Sequence, residues 1–172
     1  MIDKIKMQGF VTYKLYDEDL NLKQESTAPL YPNNIITEQG THYYIDQLSD
    51  SGGSAAVLMV LGTSDVAVGT GDTWVGSAFA GNGTIADGQG SVTISTHASS
   101  ASVLQYVGTF EAGYATEDGI QRVGLANMVA SADGNGTPNG STTFFVSHGT
   151  VSPTVNKGTS DTLVITWYHA LS

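Results

Sequence analysis

The sequence predicts a mainly β protein: an antiparallel, jelly-roll-like β-sandwich with one short α-helix near residues 37–49. Three observations predict it. Apolar and polar side chains alternate along the N-terminal segment. Glycine-rich turns separate further apolar runs at fairly even spacing. The closing run is apolar on both parities.

The first strand is read from Ile5, Met7, Val11, Tyr13 and Leu15 on one parity, with Lys4, Lys6, Gln8, Thr12 and Lys14 opposite. Period two with a polar reverse side describes a half-buried strand. "YDEDLN" turns the chain, because Asp and Asn side chains bond nearby backbone N–H groups. Leu20 to Glu25 is expected to return as its partner, and Pro29 and Pro32 to end that strand. The helix is read from "TEQGTHYYIDQLSDSGG": Thr37 as N-cap, Glu38 in the first turn, Tyr44, Ile45 and Leu48 at helical spacing, Gly52-Gly53 as the stop. Gly40 inside it is a propensity cost of about 1 kcal/mol.

"AAVLMVLGTSD" is a continuous apolar run, expected to be a strand covered on both faces. Gly69 to Gly90 is glycine-rich and carries Trp74, Phe79 and Ile85 between loops. "SVTIST" and "VLQYVGTFEAGYA" read as strands. "GIQRVGLANMVAS" is assigned to a strand because Val123, Leu125 and Asn127 alternate. "SADGNGTPNGS" is a turn cluster leading into "TTFFVSHGTV". The last strand, Leu163 to Leu171, has Leu163, Ile165 and Trp167 on one parity and Val164, Tyr168 and Ala170 on the other, which places it mid-sheet or between packed layers.

At 172 residues the chain is expected to form a single β-sandwich domain, 1–172, with an N-terminal hairpin. Sixteen acidic against six basic residues give a net charge of -10, which argues against nucleic acid as a partner. Without cysteine the chain has no disulfide, thiol catalysis or thiolate metal site. The N-terminus lacks the apolar region of a secretory signal, so none is expected. The longest apolar run, Ala55 to Leu61, is too short to cross a membrane as a helix.

No catalytic constellation emerges, and no enzyme, cofactor or metal is expected. His42, His97, His148 and His169 are spread singly, without a ligand partner at helical spacing. Asp17, Asp19 and Asn21 start like a calcium loop, but Leu22 stands where glycine is needed and Ala28 where the distal glutamate is needed. Asp133, Asn135 and Asn139 supply one carboxylate only. "GTSDV" and "GSAFAG" lack the nucleophile-elbow spacing, and "GNGTIADG" lacks that of a phosphate loop. The sequons at Asn82, Asn135 and Asn139 read as Asn-Gly turns.

The segment order, with Gly62-Thr63, Gly71-Asp72-Thr73, Thr109-Phe110, Gly124-Leu125-Ala126-Asn127, and Lys157-Gly158 before Asp161-Thr162-Leu163 and Trp167, resembles small tailed-bacteriophage virion structural proteins of the decoration or tail-fibre-like group. Thr73 to Ala101 and Asp133 to Ser141 depart from that pattern. The resemblance implies a non-enzymatic virion protein, foremost a head decoration or cement subunit on the capsid surface. A tail- or fibre-associated adhesion protein is the alternative within that class, and a carbohydrate-binding β-sandwich module the alternative outside it. It implies as partners the major capsid or tail proteins and further copies of the chain, a trimer ahead of a dimer, without nucleic acid or membrane. Synthesis would be in the host cytoplasm and residence in the virion. Trp74 and Phe79 are the interface candidates, as aromatic anchors in a region with little core pattern.

Overall fold

A computed structural model describes residues 7–26, 34–36, 38, 40–42, 44, 58–63, 91–97, 100–128 and 143–171. Among these it forms nine strands: β1 (Met7–Tyr16), β2 (Leu22–Glu25), β3 (Asn34–Ile36), β4 (Leu58–Gly62), β5 (Ser91–His97), β6 (Ser100–Phe110), β7 (Glu117–Met128), β8 (Thr143–Lys157) and β9 (Thr162–Leu171). Glu38, Gly40, Thr41, His42 and Tyr44 are helical, on the expected helix.

Two antiparallel sheets result, ordered β2-β1-β9-β6-β5 and β3-β8-β7-β4. The pairing is nested: β1 with β9, β3 with β8, β4 with β7 and β5 with β6. Such nesting of early strands against late ones is the jelly-roll-like feature of this sandwich.

The closing strand β9 is the middle strand of the five-stranded sheet, paired along its length with β1 on one side and β6 on the other. Its alternation explains the double parity. Leu163, Ile165, Trp167 and His169 are buried between the sheets, while Val164, Thr166, Tyr168 and Ala170 are half-buried on the reverse. Val11, Tyr13 and Leu15 of β1 join the same interior, with Tyr106 and Phe110 of β6. The facing sheet contributes Met59, Leu61, Ile120, Val123, Leu125, Val151 and Val155.

Two elements differ from the sequence reading. The return strand starts at Leu22, not Leu20, because Leu20 belongs to the turn. β8 runs on to Lys157, well beyond "TTFFVSHGTV". Pro153 lies within it, and the β7–β8 register shifts between Ile120, opposite Val155, and Arg122, opposite Thr150. Proline has no N–H for the ladder, so an irregular stretch there is where it fits. The apolar run of β4 sits at a sheet edge, paired with β7. Pro29, Pro32 and the segments Gly69 to Gly90 and Asp133 to Ser141 lie outside the described residues.

Gly40 has a role that helix propensity does not register. A β-carbon there would overlap the Val146 carbonyl oxygen, so only glycine lets the helical segment sit on the β8 backbone. At Gly108 a β-carbon would meet the Met59 sulfur at 2.5 Å, a contact a flexible side chain can yield. Gly40→Ala will therefore destabilise by about 2 kcal/mol, although alanine is the better helix former. Gly108→Ala will cost about 1 kcal/mol. Urea unfolding of both variants measures the difference, and equal losses would contradict it.

Candidate functional site

Three arrangements of polar or exposed side chains merit a functional reading. The first lies at the end of the sandwich where β1–β2, β6–β7 and β8–β9 turn. Asp161 closes the β8–β9 turn: its Oδ2 accepts from the Gly158 N–H at 2.9 Å, and its own N–H donates to the Gly158 carbonyl at 3.1 Å. Lys23 of β2 donates from Nζ to both Asp161 oxygens at 2.8 Å. Lys157, only 1% exposed, donates to the Glu111 carbonyl at 3.0 Å. The Gly113 N–H reaches the Thr159 carbonyl at 2.7 Å, tying the β6–β7 loop to the same turn.

The electrostatics follow from these contacts. The Lys23 hydrogen bond, with the Gly158 N–H, holds the Asp161 carboxyl below its usual range. Burial lowers the Lys157 ammonium, with Asp161 opposing it. An anionic Asp161 and a hydrogen-bonded lysine make a clasp between strand ends, with no nucleophile–base pair in it. Asp161→Ala leaves Lys157 without its countercharge and the Gly158 N–H without an acceptor. It will destabilise by about 2 kcal/mol at neutral pH. Lys23→Ala removes only the half-exposed partner and will cost less than about 1 kcal/mol. Thermal unfolding of the two variants provides the comparison.

The second arrangement is aromatic and buried. His169 lies edge-on to Trp167, Tyr106 and Tyr44, with ring centroids 5.7, 5.3 and 5.8 Å away. The Tyr44 hydroxyl hydrogen-bonds to His169 Nδ1. His169 Nε2 and Trp167 Nε1 are buried without a hydrogen-bond partner among the described residues. Burial lowers the His169 pKa to about 4, so the ring is neutral at physiological pH. Of the other histidines, His148 is buried on β8 and His42 is exposed on the helical segment, while the side chain of His97 lies outside the description. Among the described residues no three His, Asp or Glu side chains are grouped to hold a metal ion.

The third arrangement is a surface. The outer side of the five-stranded sheet carries Phe10 and Thr12 from β1, Val164, Thr166, Tyr168 and Ala170 from β9, and Val103, Gln105, Val107 and Thr109 from β6, all half-buried. The register sets them in rows: Phe10, Tyr168 and Gln105 form one, and Thr12, Thr166 and Val107 the next. Across these three strands Lys14, in the row of Val164 and Thr109, is the charged residue among those described. In a chain of net charge -10, three adjacent strands without a carboxylate on their outer side stand apart, with Glu25 of β2 beside Lys14 at the margin. Depletion of charge with aromatic and aliphatic enrichment is the composition of a docking core.

Trp74 and Phe79, the interface candidates from sequence, lie outside the described residues. Phe10 and Tyr168 were not singled out from sequence. Their signal was the second apolar parity of β9, which reads equally well as a strand covered on both faces.

Fold and surface together define a β-sandwich with a charge-poor sheet face. No family model, curated protein or solved structure matches the chain.

Proposed function

We propose that the chain is a non-enzymatic structural protein of a tailed-bacteriophage virion, a head decoration subunit that docks on the capsid through the outer face of its five-stranded sheet. The observation that carries this reading is that face: largely half-buried, with Phe10, Tyr168 and four aliphatic side chains among threonines and Gln105, and without carboxylates across β1, β9 and β6. Interfaces that bind repeated copies take their affinity from such anchors rather than from charge. The resemblance of the ordered sequence features to those of small phage virion proteins supports the same role. Asp161 and Lys157 are hydrogen-bonded within the fold, which suits a scaffold. The protein would work as a homo-oligomer, a trimer by preference, against other virion proteins. A tail or fibre location is the alternative within this class.

Mass spectrometry of purified particles tests the reading: the chain should be present in many copies, and its absence would refute a virion role. Cryo-EM density on the capsid faces rather than the tail would distinguish decoration from a fibre component. A carbohydrate-binding module is the reading from a different class, favoured by Phe10 and Tyr168 side by side on one sheet face. Silence on a glycan array would remove it.

A further inference from the structure

The β1–β2 turn breaks a local rule. The Leu20 N–H donates to the Asp17 carbonyl and the Asp17 N–H to the Asn21 carbonyl, both at 3.0 Å, making a tight turn followed by a bulge. The residue that completes such a turn adopts the left-handed conformation, normally glycine or asparagine. Here it is Leu20, with φ at 63° and the side chain 72% exposed. Leucine there incurs steric strain and leaves its apolar side chain in water. Strain of this kind, held in place by its surroundings, points to a function.

Leu20 does not stand alone. Leu22, 48% exposed, follows it, and Tyr114, 46% exposed, stands on the β6–β7 loop at the same end. β1 and β6 flank β9, so the two turns leave the sheet about 10 Å apart. The clasp described above makes the platform rigid: Lys23 to Asp161, Gly113 to Thr159 and Lys157 to Glu111 join all three turns. Glu18 and Asp19 precede Leu20 in its turn, and Glu111 and Asp118 flank the loop that carries Tyr114, all four exposed. The cations described at this end are engaged within the fold: Lys23 by Asp161, and Lys157 by burial.

We propose that this end of the sandwich is a preorganised docking tip, in which Leu20, Leu22 and Tyr114 insert into an apolar pocket rimmed by lysine and arginine on a partner protein. The charge selects the partner. A second copy would bring carboxylates against carboxylates, and phosphate-bearing surfaces would be repelled in the same way. The tip is separate from the sheet face and does not depend on the virion reading.

The test uses the full chain and a fluorescent amphipathic peptide of leucine and lysine as probe, with leucine–glutamate and serine–lysine peptides as controls. The leucine–lysine peptide should bind, more weakly as salt rises, and both controls should bind at least about tenfold more weakly. Leu20→Asn should raise Tm by about 2–4 °C by relieving the turn, yet weaken binding about tenfold. Tyr114→Ser should weaken binding similarly. Equal binding by wild type and both variants would overturn the proposal, as would a fall in Tm on Leu20→Asn. Sedimentation showing a wild-type dimer that Leu20→Asn abolishes would replace it with self-association.

Discussion

Trp167→Ala will cost about 4 kcal/mol, the middle of the range for removing a buried aromatic. The ring is 0% exposed and locked on several sides. Val11 and Tyr106 flank it in register on the neighbouring strands. Across the sandwich, a β-carbon at Gly149 would stand 3.4 Å from its Cζ2, so the opposing backbone comes right up to the indole. Close packing on that side limits collapse into the vacated space, and the cavity penalty adds to the lost burial. A loss of this size is a large share of a domain's whole stability. Trp167→Phe separates packing from polarity: it keeps most of the ring volume and removes a buried N–H that has no partner among the described residues. It will cost less than about 1.5 kcal/mol. Thr166→Ala, one residue away on the half-buried side, will cost less than about 1 kcal/mol. Denaturant midpoints at constant m-value measure all three. A small effect of Trp167→Ala would contradict the central place of β9 in the core.

The centrality of β9 was legible because its two apolar parities require neighbours on both edges or both faces, and pairing with β1 and β6 meets that requirement. β1 was legible through simple alternation. β7 was legible through Val123 and Leu125, which face inward as a strand assignment demands. What stayed hidden depends on residues far apart in the chain. Gly40 looks like a propensity cost until Val146, more than a hundred positions later, lies against it. Lys157-Gly158 and Asp161 entered only through the family resemblance, since nothing local announces that Lys23 will bind the carboxylate. Leu20 was assigned to a strand because an apolar residue gives no turn signal, and its positive φ emerges only from the hydrogen bonds around it. The sheet face escaped notice for a related reason. A sequence shows that Tyr168 and Val164 share a parity, but not that Phe10 and Val107 complete the same surface.

Acid will destabilise the protein before Asp161 and Asp17 protonate, and His169 will be the cause. Its ring lies among Trp167, Tyr106 and Tyr44, and burial lowers its pKa to about 4 from 6.5. The unfolded chain therefore takes up a proton at a pH where the native ring stays neutral. Stability is fully present above pH 6.5 and falls as the pH drops toward 4, where the loss levels off. The difference of about 2.5 pKa units corresponds to about 3 kcal/mol at most, and to about 2 kcal/mol between pH 7 and 5. Asp161 and Asp17 titrate in a different window, since both are lowered from 3.8 by hydrogen bonds and lose their contribution only in stronger acid. The range from pH 7 to 5 thus separates His169 from Asp161 and Asp17. His169→Phe keeps a ring in the cluster and removes the titrating group, so it should flatten the stability profile over that range. Tyr44→Phe removes the hydroxyl from Nδ1, leaves the imidazole buried and should retain most of the slope. Urea midpoints at half-unit steps of pH decide the matter. A His169→Phe profile as steep as wild type would assign the acid sensitivity to another group, and a nuclear magnetic resonance titration placing His169 near 6.5 would rule out its burial as a neutral ring.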